Sequence, residues 1–333
     1  MLTDQKILVT GPAGQIAFPL AARLARDNDV WGIARFSEAG SRERCEAAGI
    51  TTRVVDLAAP DYDTLPDDFT YVLHLAAYLG TTPDYDAALR TNAEGTGLLL
   101  QRFRSARAAM VMTTGSVYKP HPDPWHRVRE DDPLGDASLP AVPTYSVSKI
   151  AQEAVARTMC RALDLPLVIV RMNVAYGDNG GLPAFHLDNI VAGRPVTVRW
   201  DPAPYTPIHE DDIFGQTEAL LDAASVPGTI VNWAGDEVVT AQDWCAFFEQ
   251  RTGRTARIDV VPIEGTRRGT ALDNTRRLAI TGPATVDWRD GMARMLAHRY
   301  PNGVDAGPID DRAAHAMRTA ASPPPDPSGV TGA

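Results

Sequence analysis

An apolar run, Lys6–Thr10, leads directly into Gly11-Pro-Ala-Gly-Gln-Ile-Ala17 and then into a helical pattern with Ile16, Leu20 and Leu24 four residues apart. This strand–turn–helix unit limits what the chain can fold into more than any other feature. Gly11 supplies the tight turn. Gly14 lets the backbone approach a pyrophosphate, which the positive end of the following helix attracts. Ala17 takes the third position, where the pattern accepts alanine. A glycine pattern alone is weak, but between a strand and a helix it predicts a dinucleotide site built from Gly11, Ala13, Gly14, Gln15 and Ile16.

The same alternation continues through the first half of the chain. Val30–Ala34, Thr52–Val55, Tyr71–Ala77, Ala109–Thr113 and Leu167–Arg171 read as strands with helical stretches between them. Uninterrupted apolar runs suit strands covered on both faces, so the expected fold is α/β, a Rossmann-type doubly wound parallel sheet. After Arg171 the composition shifts to Gly, Pro and Asp, as in substrate-facing loops. The expected division is a dinucleotide-binding domain over 1–176, to which 208–235 return through a strand at Thr229–Trp233. A smaller C-terminal substrate-binding lobe would comprise 177–207 and 236–300, followed by a disordered tail over 305–333. Thr240 and Asp243 resemble a capping box, and Trp244, Phe247 and Phe248 behind it read as core of the smaller lobe.

Tyr145 and Lys149 lie four residues apart, hence on one helix face. Free, both groups titrate near pH ~10, too high for proton exchange at neutral pH. A fixed cation beside a phenol favours the phenolate and brings it toward the working range. The chain has only three lysines, Lys6, Lys119 and Lys149, among 32 basic residues. That one of them follows a tyrosine at helical spacing gives the pair weight.

The bulk properties exclude several classes. A formal charge of −10 and the lack of a basic run argue against nucleic-acid binding. Cys45, Cys160 and Cys245 are few and widely spaced, which fits a reducing compartment and neither a disulfide framework nor a zinc site. His209 with Glu210, Asp211 and Asp212 reads as a helix cap, and no metal is expected. With no leader-like start and no long apolar stretch, the expected location is cytoplasmic, without membrane partners. The second strand ends Ala34-Arg35 where NAD sites commonly carry an acid. Arg35 is placed to pair with a 2′-phosphate, so NADP is expected, with NAD possible.

Taken together, these residues make the chain resemble the extended short-chain dehydrogenase/reductases, the NAD-dependent epimerase/dehydratase family, from about residue 5 to 297. Asp56-Leu57 resembles the family's adenine-side pair, and His74-Leu75-Ala76-Ala77 its strand end under the cofactor. Asn92-Ala-Glu-Gly-Thr96 is similar to its Asn-Val-x-Gly-Thr helix. Met112–Tyr118 resembles its Ser-Ser/Thr-x-x-Val-Tyr motif, which lands the catalytic hydroxyl on Thr114. Arg171–Gly177 and Ile208–Asp212 match two further family motifs. The resemblance implies catalysis by Thr114, Tyr145 and Lys149. It also implies cofactor contacts from Leu75, Ala76, Ala77, Asn92, Tyr145, Lys149, Met172 and Val174, and a homodimer through the helices near 84–104 and 145–163.

Three departures bear on the reaction. Relatives that handle nucleotide-sugars hold the diphosphate with an asparagine where this chain has Val174, beside Asn173, and with an arginine where it has Tyr205. Arg194 and Arg199 are the cations nearby in sequence. Dehydratases follow the catalytic threonine with Asp-Glu, whereas Thr114 is followed by Gly115-Ser116. The first reading is therefore an NAD(P)-dependent oxidoreductase exchanging a hydride between nicotinamide and a small ketone or secondary alcohol. The alternatives are a nucleotide-sugar (UDP-hexose type) 4-epimerase and a non-catalytic NADP-sensing protein.

Overall fold

The computed structural model describes residues 2–135 and 139–307. From residue 308 onward the expected tail lies outside them. The first half contains β1 (Lys6–Thr10), α1 (Ala17–Leu24), β2 (Asp29–Ala34), α2 (Ser41–Ala47), β3 (Thr51–Val54) and β4 (Tyr71–His74). It continues with α3 (Tyr85–Leu89), α4 (Gly95–Arg102), β5 (Ala108–Thr114), α5 (Tyr145–Leu163) and β6 (Leu167–Met172). Next come β7 (Ala175–Gly177), β8 (Gly180–Gly181), α6 (Leu182–Val191), β9 (Val196–Val198), β10 (Pro204–Tyr205), β11 (Ile208–His209) and α7 (Glu210–Asp222). The chain then forms β12 (Thr229–Trp233), β13 (Val239–Thr240), α8 (Ala241–Thr252), β14 (Ile258–Val260), α9 (Thr275–Thr281) and α10 (Trp288–Arg299).

Seven strands form one parallel sheet in the order β12-β6-β5-β4-β1-β2-β3. The order reverses between β1 and β4, which opens a crevice at their C-terminal ends. Side chains alternate across the sheet. Ile7 and Val9 face a core shared with Leu20 and Leu220, and Leu8 faces the other, with Leu99 and Ala156. This two-sided burial is why the strands read as continuous apolar runs, and truncating Leu8 to alanine should cost roughly 2–5 kcal/mol. A third core joins Leu187 of α6, Trp244 and Phe248 of α8, and Met292 of α10. Thr240 and Asp243 form the expected capping box at the start of α8.

Two elements differ from expectation. β4 stops at His74 and does not run to Ala77, because the amides of Leu75 and Ala76 turn to Thr10 Oγ1, each at 3.0 Å. The single helix expected near 84–104 is interrupted by a π-helical turn at Arg90–Glu94. The wider turn points Asn92 inward, where Oδ1 accepts from the Tyr78 amide (2.7 Å) and Nδ2 donates to Ser148 Oγ (2.9 Å). Gly95 follows; a Cβ there would come within 2.6 Å of the Leu57 carbonyl oxygen, so this helix can lie against the end of β3 only with glycine. Among the described residues no helix is long and apolar enough to cross a membrane.

Candidate active site

Thr114 ends β5, where extended backbone gives way to a short 3-10 turn over Gly115–Val117. Its Oγ1 accepts from the Ser116 amide at 3.1 Å and donates to Ser116 Oγ at 3.2 Å. Tyr145 is the first residue of α5, with its phenol beside the Thr114 hydroxyl. Lys149, one turn later, is 1% exposed and donates to the Met112 carbonyl (3.1 Å) and to Gln152 Oε1 (2.8 Å). The three expected catalytic residues therefore meet at the C-terminal edge of the sheet.

Their electrostatics differ from expectation. Burial pushes the Tyr145 phenol up to about 12, against the lowering influence of the Thr114 hydroxyl and the Arg267 guanidinium. Lys149 was expected to lower that value. Its ammonium lies 5.8 Å from the tyrosine ring centroid and is turned toward Met112 and Gln152, so the cation acting on the phenol is Arg267. Burial lowers Lys149 to about 7, opposed by Glu153. Glu153 in turn pairs with Arg171 through two bonds, at 2.9 and 2.7 Å, with both side chains 2% exposed. Thr113 donates to the same carboxylate at 2.7 Å.

Beside Thr114 lies a cavity of about 400 Å³ lined by Ser116, Asn173, Val174, Arg199, Trp200 and Arg267, among others. Arg267 comes from the loop before α9. It donates to the Gly115 carbonyl and, at 2.9 Å, to Ser116 Oγ. Among the described residues neither Arg267 nor Arg199 has a carboxylate partner. Burial and the neighbouring Arg199 charge lower Arg267 to about 10, and burial lowers Arg199 as well. Arg194, by contrast, is exposed in the connection after α6 and bonds Asn189 of that helix. Asn173 is committed elsewhere: it donates to the Thr270 carbonyl and accepts from the Thr206 amide. His209 caps α7, with Nδ1 accepting from the Asp211 amide at 3.1 Å.

The nucleotide groove follows the β1–β4 crevice. Gly11 has φ +66°, donates its amide to the Ile33 carbonyl, and sits where a Cβ would meet Ala76 Cα at 3.1 Å. Gly14 donates to the Gly11 carbonyl at 2.9 Å, closing the turn ahead of Ile16 and α1. A side chain would fill this cradle, so the turn fits a pyrophosphate. The Ala13 carbonyl accepts from Arg44, and the Gln15 carbonyl from Asn179 Nδ2 (2.7 Å). Asp56 is exposed, with Oδ1 accepting from the Ala58 amide, and Leu57 is buried. Leu75 and Met172 are buried, Ala76 and Val174 half-buried, and Ala77 and Arg35 exposed. Asn92 is 1% exposed and reaches the site through Tyr78 and Ser148.

Sequence reasoning missed Gln152, Glu153 and Arg267 as parts of this site. Gln152 and Glu153 follow Lys149 at helical spacing and were legible as its neighbours. Arg267 lies 122 positions beyond Tyr145 by number, and only the folded loop brings it in.

A doubly wound sheet, a glycine turn at its switch point and a Tyr–Lys helix at its C-terminal edge define a dinucleotide-dependent enzyme of Rossmann type. Residues 7–198 match the NAD dependent epimerase/dehydratase family, and this chain is a member of that family. Among curated proteins no sequence matches. The fold is similar to UDP-glucuronic acid 4-epimerase from Bacillus cereus, solved with UDP-glucuronic acid and NAD. That structure has a TM-score of 0.76 at 22% identity, with 88% of this chain and 98% of that chain covered. UDP-N-acetylglucosamine 4-epimerase from Methanobrevibacter ruminantium gives 0.77 at 16%, over 90% and 100%. UDP-glucose 4-epimerase from Thermotoga maritima gives 0.75 at 17%, over 89% and 99%.

These findings bear on two expectations. The family is one described by NAD, and nothing in that description supports the preference for NADP that rested on Arg35. The first functional reading, a ketone or alcohol reductase, gives way to a general epimerase/dehydratase activity. The sensor reading yields to an enzyme of this family.

Proposed function

We propose that this protein is an NAD-dependent epimerase that inverts a carbinol centre of a sugar carrying an anionic group, with nucleotide-diphosphate sugars as the substrate class. The observation behind this reading is the single cavity in which Thr114 and Ser116 lie beside Arg199 and Arg267, two guanidiniums without a carboxylate partner among the described residues. Half-buried cations without counter-charge are costly unless a ligand neutralises them. A neutral ketone would leave that cost in place. An anionic sugar removes it, and the UDP-sugars bound by similar folds belong to that class.

Held along this groove, NAD would supply a reversible hydride acceptor for the carbinol carbon. The chain supplies the proton chemistry and the orientation. Tyr145 accepts the substrate hydroxyl proton and later gives it back, and Thr114 holds the same oxygen. Arg267 would favour the ionised phenol, and Lys149 would hold the cofactor ribose. Gly11, Ala13, Gly14, Gln15 and Ile16 would cradle the pyrophosphate. Arg35, Asp56 and Leu57 would flank the adenosine, while Leu75, Ala76, Ala77, Met172 and Val174 would line the groove, with Asn92 bracing it. Gly115 and Ser116, in place of Asp-Glu, leave no acid–base pair for dehydration. The segments 177–207 and 236–300 would form the substrate lobe. Leu98 and Val147, exposed at 45% and 48%, leave apolar surface on α4 and α5 for a homodimer.

Incubating the protein with NAD and a panel of UDP-hexoses, UDP-uronic acids and simple ketones, with products read by NMR, tests the reading. Interconversion of one nucleotide-sugar pair is the expected result. Turnover confined to uncharged ketones would overturn it.

A further inference from the structure

Between the glycine-rich turn and Lys149 runs an unbroken line of buried polar side chains. Thr10, His74, Thr96, Gln152 and Lys149 are each at most 1% exposed. Thr10 and His74 are register partners on β1 and β4. Thr96 lies on α4, and Gln152 follows Lys149 on α5.

The hydrogen bonds leave one consistent direction. Thr10 Oγ1 accepts from the amides of Leu75 and Ala76, both at 3.0 Å, so its own proton goes to His74 Nδ1 at 2.8 Å. His74 must then carry its proton on Nε2 and donate to Thr96 Oγ1, also at 2.8 Å. Thr96 spends its hydroxyl proton on the Asn92 carbonyl at 2.6 Å, so toward Gln152 it can only accept, and Gln152 Nε2 donates to it at 3.0 Å. That fixes the amide. Gln152 Oε1 is left facing Lys149 Nζ at 2.8 Å. Flipping the amide would set its NH₂ against an ammonium and its oxygen against a hydroxyl whose proton is already used. Every side-chain nitrogen and oxygen in the line has at least one partner, as a buried network requires.

We infer that Thr10, His74, Thr96 and Gln152 are positioning residues, a directed hydrogen-bond chain that runs from the nucleotide turn and presents a fixed acceptor to Lys149. The chain thereby sets both where the ammonium points and how readily it holds its proton. Other groups also act on that ammonium. Glu153 on α5 favours the cation and is itself paired with Arg171 of β6; Tyr145 lies one turn before; His74 of β4 stays neutral; the Met112 carbonyl comes from β5. The line ends at Ala76, the residue packed beneath Gly11. Lys149 is thus tied to the backbone under the pyrophosphate cradle. The inference does not depend on which substrate the cavity takes.

The scarcity of lysine makes the test direct. Labelling lysine side chains with ¹³C gives three signals in the full-length protein, and the one missing from Lys149→Met is Lys149. Its titration is followed in wild type and in four variants, with thermal unfolding as a check on folding. Thr96→Val and Gln152→Met should lower the Lys149 midpoint by about half a unit or more, Gln152→Glu should raise it by a similar amount, and Thr96→Ser should restore the wild-type value. A purely structural role for Thr96 would cost stability without moving the midpoint. The ¹⁵N spectrum of wild-type His74 should show the Nε2–H tautomer, which needs no variant to fold. An unmoved Lys149 midpoint in Thr96→Val and Gln152→Met, or a proton on His74 Nδ1, would overturn the inference.

Discussion

Arg267 Nη2 donates to Ser116 Oγ at 2.9 Å, joining two loops 151 residues apart in the chain. Ser116 Oγ also accepts from Thr114 Oγ1 at 3.2 Å, so a guanidinium stands two hydrogen bonds from the hydroxyl expected to orient the substrate. Arg267→Met should raise KM for an anionic substrate by roughly tenfold or more, the usual worth of a charge-assisted hydrogen bond. It should leave thermal stability unchanged or higher, because it removes a half-buried charge that lacks a counter-ion. Steady-state kinetics and a melting curve on the same preparation check both halves.

The Glu153–Arg171 pair should behave in the opposite way. Both side chains are buried and doubly bonded to each other, and Arg171 also donates to the Glu130 carbonyl at 3.0 Å. Glu153→Gln leaves a buried guanidinium uncompensated and should cost about 3–5 kcal/mol, measurable by urea denaturation. The same change should lower the Lys149 value further, since Glu153 is the group that favours its charge.

Stability should rise with pH above neutrality. Lys149 titrates at about 7 when folded and near ~10.4 when unfolded. Between those values the unfolded chain holds the extra proton, so the slope of unfolding free energy with pH is positive. Below pH 7 both states are charged and the lysine contributes no slope. Denaturation at pH 6.5 and 9 should show a larger gain in wild type than in Lys149→Met; equal gains would contradict the assignment.

Much of this fold is written locally. Thr10–Ala17 carries strand, turn and helix cap within eight positions, and Thr240–Asp243 carries its capping box within four. The Tyr145 and Lys149 placement follows from helical spacing alone. What the sequence hides depends on tertiary approach. Nothing local marks the π-helical turn that carries Asn92 inward, because helix propensity and apolar periodicity continue through it. Arg199 and Arg267 come from separate segments that converge only when β9 and the loop before α9 pack around the cavity. The expected effect of Lys149 on Tyr145 overlooked that Met112 and Gln152 compete for the ammonium.

Tyr145→Phe removes the proposed proton carrier while leaving the ring and the glycine turn intact. Turnover should fall by ~10²–10⁴-fold, the usual contribution of a positioned acid–base group. NAD affinity, read by the fluorescence of bound NADH, should change little. Near-full activity in this variant would remove Tyr145 from the mechanism.

The central claim is that hydride leaves and returns within one cavity that also neutralises an anionic sugar. The most direct measurement is conversion of a nucleotide-sugar in D₂O by the NAD-loaded protein, followed by ¹H NMR. The account predicts the epimeric sugar with the original carbinol hydrogen retained and no net NADH. Deuterium at that carbon, or a dehydrated product, would contradict it.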